Sequence, residues 1–154
     1  MFNFYLHYYA ISNSSSPINR NRKKNKLNNL TFNVGSLNQN EPVNLRVEGG
    51  VQGDSFKLNG LSGHNGQAIK NTYVTLNGGG GNDAFYVART YQGSLNVDGG
   101  QGNNDKLYLP YGSKAQKAQK GQAGSYRLPS GGDVAVYGVE EIYIGGIRVK
   151  PQGK

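Results

Sequence analysis

Residues 73–87 read YVTLNGGGGNDAFYV: an alternating strand, a glycine-rich turn with one aspartate, and a second alternating strand. The same order recurs as NLRVEGGVQGDSFKL at 44–58 and as SLNVDGGQGNNDKLYL at 94–109, with a degenerate copy, EEIYIGGIRV, at 140–149. Alternation of apolar and polar residues indicates half-buried strands, and glycine permits the positive φ angles that tight corners need. The sequence therefore predicts a repeating unit of strand, glycine pair, aspartate and strand.

The spacing of the glycine pairs sets the size of this unit. The pairs begin at residues 49, 78, 99 and 145, so the intervals are 29, 21 and 46 residues. Irregular repeats of this length predict an all-β fold, specifically a parallel β-solenoid similar to a β-helix or β-roll, with coils of about 20–30 residues. The predicted inward-facing residues are Leu45, Val47, Phe56, Leu58, Val74, Leu76, Phe85, Val87, Leu95, Val97, Leu107, Leu109, Ile142 and Ile144.

Composition supports one folded unit with a thin core. The chain has 154 residues, of which 24 are glycine and only 35% are hydrophobic. With no cysteine, it has no disulfide and no cysteine-based zinc site. We predict an arm at residues 1–29 and the solenoid domain at residues 30–154, with a solvated lysine-rich loop at 114–125 (KAQKAQKGQAGS).

The predicted arm combines aromatic residues with a basic cluster at residues 20–26 and shows no strand or helix period. We favour an arm that forms a strand, covering the open end of the solenoid or docking on the next subunit. A disordered arm is a second reading, and nucleic-acid binding by charge and stacking is the least favoured. The predicted assembly residues are Phe2, Phe4, Tyr5, Tyr8 and Tyr9.

The turn at residues 78–85, GGGGNDAF, matches the nonapeptide pattern G-G-x-G-x-D-x-U-x and so resembles the RTX family of hemolysin-type calcium-binding repeats. The full pattern occurs once. The turn before Asp105 has one residue too many, and Gly53 lies one place late in the first repeat. Residues 126–146 also resemble the closing coil of degenerate RTX-like repeats in bacterial surface proteins, which implies an extracellular location.

This resemblance implies Ca²⁺ as a cofactor, and Ca²⁺ prefers oxygen ligands in loose geometry. We predict that Asp83 and Asp105 bracket one ion and that Asp54 serves a second. The alternative is that aspartate and asparagine at these corners only cap turns through hydrogen bonds to their own backbone. The glycines predicted to lend carbonyl oxygens are Gly79, Gly81, Gly100 and Gly102.

No catalytic constellation is recognisable, because His7 and His64 are isolated and Glu140 and Glu141 are adjacent on a strand, where they face opposite sides. We therefore predict a non-enzymatic extracellular structural protein that binds calcium and self-assembles as a homo-oligomer, filament or surface layer. The alternative is an adhesion module that binds a polysaccharide or another anionic polymer. No stretch is long and apolar enough to span a membrane. The predicted polymer-binding residues are Tyr86, Tyr91, Tyr108 and Tyr111.

Overall fold

The computed structural model describes residues 43–60 and 71–152, which form eleven strands. The sequence alternation places one face of most strands in the interior, and the turns between them contain glycine. The strands are β1 (Val43–Glu48), β2 (Ser55–Leu58), β3 (Thr72–Asn77), β4 (Ala84–Val87), β5 (Ser94–Asp98), β6 (Lys106–Leu109), β7 (Lys114–Gln116), β8 (Gly124–Arg127), β9 (Asp133–Tyr137), β10 (Glu141–Ile144) and β11 (Ile147–Val149).

The chain alternates between two sheets. The first sheet has the order β1-β3-β5-β9-β8-β7, and the second has the order β11-β10-β6-β4-β2. Parallel pairing joins β1, β3, β5 and β9 in one sheet and β2, β4, β6 and β10 in the other. Each passage from the first sheet to the second goes through a glycine-containing turn, so the turns lie next to one another along one side of the molecule.

The prediction of a parallel β-solenoid is wrong, although the all-β prediction is confirmed. Both sheets are mixed, because β8 runs antiparallel to β9 and to β7, and β11 runs antiparallel to β10. The physical reason lies in three tight chain reversals: Gly121 has φ of +89°, Gly131 has φ of +94°, and Gly145 and Gly146 have φ of +57° and +85°. Tight turns of this kind return the chain as an antiparallel neighbour, whereas a parallel neighbour requires a long crossover.

Two local predictions are wrong for the same reason as the solenoid prediction. The segment at 114–125 is not wholly a solvated loop, since its two ends lie in β7 and β8 and pair with each other. The glycine pair at Gly145 does not form the fourth turn of the repeat, because it connects the hairpin of β10 and β11. Gly138 takes that place, immediately after Tyr137, which pairs with Asp98.

The core lies between the two sheets. Twelve of the fourteen predicted inward-facing residues are buried, and the other two, Leu45 and Ile144, are partly buried against the same cluster. The sequence did not predict the remaining third of the buried core, half of which lies in β8 and β9. The buried residues that it missed are Tyr91, Tyr126, Leu128, Val134, Val136 and Val139. Within the described ranges, no helix is long and apolar enough to cross a membrane.

Candidate functional site

The three aspartates of the repeat form a buried row, called here the aspartate row: Asp54, Asp83 and Asp105. Each immediately precedes a strand of the second sheet, and each is at most 3% exposed. The backbone N–H of Asp54 donates to Oδ1 of Asp83 at 2.6 Å, and that of Asp83 donates to Oδ1 of Asp105 at 2.7 Å. The row ends at Glu140, whose Oε2 accepts from the N–H of Asp105 at 2.8 Å.

The second carboxylate oxygens of the row differ from one turn to the next. In the first turn, Oδ2 of Asp54 accepts a hydrogen bond from the N–H of Gly50 at 2.8 Å. In the next two turns, Oδ2 of Asp83 and Oδ2 of Asp105 are buried without a hydrogen-bond donor. Buried polar atoms are nearly always satisfied, so two unpartnered oxygens in adjacent turns require an explanation.

The explanation lies at the preceding strand ends. The N–H of Gly79 donates to Oδ1 of Asn77 at 2.9 Å, and the N–H of Gly100 donates to Oδ1 of Asp98 at 3.0 Å. Both are Asx-type bonds to a residue two positions on. The first turn has Glu48 at the equivalent position, and its longer side chain bonds Arg46 instead. Asn77 and Asp98 therefore take up the donors that would otherwise serve the aspartate row.

Close packing of the turns makes glycine necessary beside these oxygens. A Cβ on Gly78 would overlap Oδ2 of Asp83 and lie 2.5 Å from the carbonyl oxygen of Gly99. A Cβ on Gly99 would lie 2.7 Å from Oδ2 of Asp105 and would overlap the carbonyl oxygen of Gly138. Each unpartnered carboxylate oxygen and a main-chain carbonyl oxygen of the next turn therefore border the same small space beside a glycine.

Burial is the main influence on the ionisation of the row. Desolvation raises the pKa of Asp83 to about 7; the hydrogen bond from the backbone of Asp54 opposes this, and the charges of Asp105 and Asp54 add to it. Burial likewise raises the pKa of Asp105, with Glu140 and Asp98 adding to the effect. Near neutral pH, the row therefore favours either a shared proton or a bound cation over bare carboxylates.

The structure brings the predicted calcium ligands into one region. Asp83 and Asp105 directly precede the adjacent strands β4 and β6, and the glycines predicted to lend carbonyls occupy the turns that lead to these aspartates. The carbonyl oxygen of Gly79 accepts from the N–H of Gln101 at 2.7 Å, so part of its capacity is used within the fold. In the part of the chain that the structure describes, no three His, Cys, Asp or Glu side chains converge on one point. An ion here would therefore need main-chain carbonyls as ligands.

The predicted polymer-binding tyrosines separate into two groups. Tyr86 and Tyr108 lie side by side on the outer face of the second sheet, and their rings stack with centroids 4.6 Å apart and planes 4° apart. Tyr143, which the sequence reading missed, stacks on Tyr108 at 4.9 Å and 13°. We call these three the tyrosine row. A sequence signal for Tyr143 exists: like Tyr86 and Tyr108, it lies between two apolar residues of its strand.

Tyr91 and Tyr111 do not join this row. The prediction that Tyr91 is available to a polymer is wrong, because its side chain is 1% exposed and its hydroxyl donates to the carbonyl of Ser94 at 2.7 Å. Tyr111 is 77% exposed but follows the end of β6 and packs beside Gly145. The aromatic residues of the arm, both histidines and the segment at 61–70 lie outside the described residues.

The fold and the aspartate row define the class of this protein: an all-β chain of two mixed sheets with a line of buried carboxylates beneath stacked glycine turns. No family model matches the chain, and neither a curated protein nor a solved structure matches it significantly.

Proposed function

We propose that this chain is a non-enzymatic structural protein whose fold is stabilised by Ca²⁺ bound at Asp83 and Asp105, beneath the glycine turns. The observation that carries the proposal is the pair of buried oxygens, Oδ2 of Asp83 and Oδ2 of Asp105, without a hydrogen-bond donor. A buried carboxylate oxygen without a hydrogen-bond donor is costly, and a bound cation removes that cost. Ca²⁺ would supply the positive charge that these turns otherwise lack.

The donor set suits Ca²⁺ better than a transition metal. It consists of carboxylate and carbonyl oxygens, and Ca²⁺ takes six to eight such ligands in irregular geometry. The carbonyl oxygens of Gly99 and Gly138 border the same spaces, beside Gly78 and Gly99, as the two unpartnered carboxylate oxygens. Asp54 is a weaker candidate for a second ion, because its Oδ2 already accepts the N–H of Gly50.

An extracellular, self-assembling role is part of the same proposal. Calcium sites of extracellular modules bind with dissociation constants of roughly 10⁻⁴–10⁻³ M, which suits a site with few carboxylates. Among the described strands, β1 and β2 are the outermost members of the parallel part of each sheet. Edge strands of this kind pair readily with another chain. Sedimentation velocity at increasing protein concentration tests the assembly, and a strictly monomeric protein with and without calcium would contradict it.

Thermal unfolding in millimolar Ca²⁺ and in EGTA tests the calcium site. A ligand at free concentration c that binds only the native state stabilises it by RT ln(1 + c/Kd), which is about 1.4 kcal/mol for roughly 1 mM Ca²⁺ at a dissociation constant of roughly 10⁻⁴ M. We therefore expect Ca²⁺ to raise the Tm by several degrees, Mg²⁺ to have a smaller effect, and Asp83→Asn to abolish the calcium-dependent part.

The matched control is Asp133→Asn, which removes an exposed carboxylate that pairs with Arg127 on the first sheet. This variant should retain the full response to Ca²⁺. An unchanged Tm of the parent protein in Ca²⁺ and EGTA, together with no heat of Ca²⁺ binding in calorimetry, would exclude the site and leave the aspartates as turn-capping residues.

A further inference from the structure

The tyrosine row is the middle of a longer line of outward-facing side chains that crosses the second sheet. Strand register places Lys57 beside Tyr86 at one end and Arg148 beside Tyr143 at the other. The line runs perpendicular to the strands, so neighbouring side chains repeat at the spacing between strands. Lys57 and Tyr86 are exposed, whereas Tyr108 and Tyr143 are half-buried.

Ring stacking determines which part of each tyrosine meets the solvent. Tyr108 has a ring on each side, since Tyr86 stacks on one face and Tyr143 on the other. The surface of the row is therefore made of ring edges and hydroxyl groups. The hydroxyl of Tyr143 donates to Oε2 of Glu141 at 2.7 Å. Among the described residues, no protein group bonds the hydroxyls of Tyr86 and Tyr108, which leaves both able to donate to a ligand.

The charge of this face is predominantly positive. Lys57, Lys106 and Arg148 project from β2, β6 and β11, and the one carboxylate among them is Glu141. Glu141 pairs with Arg148 at 3.2 Å and with Lys106 at 3.6 Å. Lys57 belongs to neither pair. The face therefore carries a positive excess next to free phenol hydroxyls, which complements a chain that carries carboxylates and hydroxyls.

We propose that the outer face of the second sheet binds a linear, carboxylated polysaccharide, which lies along the line from Lys57 to Arg148. The hydroxyls of Tyr86 and Tyr108 bond sugar hydroxyls, and Lys57 and Arg148 attract the carboxylates. This function is independent of the calcium site, which lies in the interior. A single-stranded nucleic acid is less suitable, because it is held by bases stacked on open aromatic faces, and the faces of Tyr108 are covered.

Binding of hyaluronan, a linear polymer with regularly spaced carboxylates, tests this proposal in calcium-containing buffer. The decisive variant is Tyr108→Phe, which keeps the ring stack and removes only the hydroxyl. A lost hydrogen bond is worth about 0.5–1.5 kcal/mol, so affinity should fall about 2-fold to 13-fold while the Tm stays unchanged. Lys57→Gln should weaken binding about twofold to fivefold, and about 1 M NaCl should reduce both the parent affinity and this difference.

Matched controls lie on the first sheet. Tyr73→Phe removes an exposed phenol hydroxyl, and Lys114→Gln removes an exposed charge; both should leave the affinity for hyaluronan unchanged. Neutral dextran should not bind. The proposal is overturned if hyaluronan does not bind, if the first-sheet variants weaken binding as much as Tyr108→Phe and Lys57→Gln do, or if poly(dT) binds more tightly than hyaluronan.

Discussion

Single glycines next to the aspartate row have different steric tolerances, although they lie only two residues apart in the sequence. Gly78 leaves no space for a Cβ, because Oδ2 of Asp83 and the carbonyl oxygen of Gly99 already occupy its surroundings. Gly80, two residues later, has no heavy atom nearer than 3.5 Å to a Cβ, and its φ is not positive. The same residue type is therefore a packing requirement at one position and replaceable at the other.

We expect Gly78→Ala to destabilise the protein by about 1–3 kcal/mol, since inserting a methyl group into a packed interior forces the turn or Asp83 to move. Urea unfolding measures the change. Gly80→Ala is the control and should alter the free energy of unfolding by less than about 0.5 kcal/mol. Equal losses in the two variants would show that the turns are not packed against each other as described.

Residue-scale burial also predicts a pH dependence in calcium-free buffer. The pKa of Asp83 rises from 3.8 to about 7 on folding, so the native state holds a proton that the unfolded state has released across this window. Protonation of Asp83 therefore stabilises the native state at low pH, and this stabilisation is lost as the pH rises towards about 7. We expect the free energy of unfolding in EGTA to fall over this window.

The measurement is urea unfolding in EGTA at a series of pH values, with Asp83→Asn as the comparison. Because the amide does not ionise, the variant should show a smaller decrease between pH 3.8 and about 7. Parallel pH profiles of the two proteins would contradict the assignment of this effect to Asp83.

At the scale of elements, identical residue types stack on both faces of the second sheet. Inside, Phe56 of β2 and Phe85 of β4 stack with centroids 4.9 Å apart and planes 9° apart. Outside, the tyrosine row does the same across β4, β6 and β10. Parallel, in-register pairing places equivalent positions of successive strands side by side, so the repeat in the sequence becomes a stack in space.

We expect Phe85→Ala to cost about 3–5 kcal/mol, because the ring is fully buried and its removal leaves a cavity beside Phe56. Urea unfolding followed by circular dichroism measures the loss. Val51→Ala is the control, since that side chain is 81% exposed, and it should change stability by less than about 0.5 kcal/mol. A cost below about 1 kcal/mol for Phe85→Ala would mean that β2 and β4 contribute little to the core.

At the scale of the whole molecule, the strands and turns of the first three repeats could be predicted, but the arrangement of the last third could not. The residues at 44–58, 73–87 and 94–109 form the expected strand, turn and strand units. Beyond them, the structure pairs β9 with β5 and β10 with β6, and it adds β7, β8 and β11 as antiparallel neighbours. Local patterning does not specify the neighbours of an edge strand, because these depend on contacts between distant segments.

Part of the candidate site could likewise be predicted from the sequence, and part could not. Asp83 and Asp105 were recognisable from their glycine turns, whereas Glu140 as the end of the row and Tyr143 as the third stacked ring depend on the pairing of β10 with β6. The alternation, the glycine corners and the acidic residue after each corner could be predicted from the sequence alone, since they follow from local geometry. Which carboxylate oxygens lack a donor depends on how adjacent turns share their N–H groups, so this became known only from the folded chain.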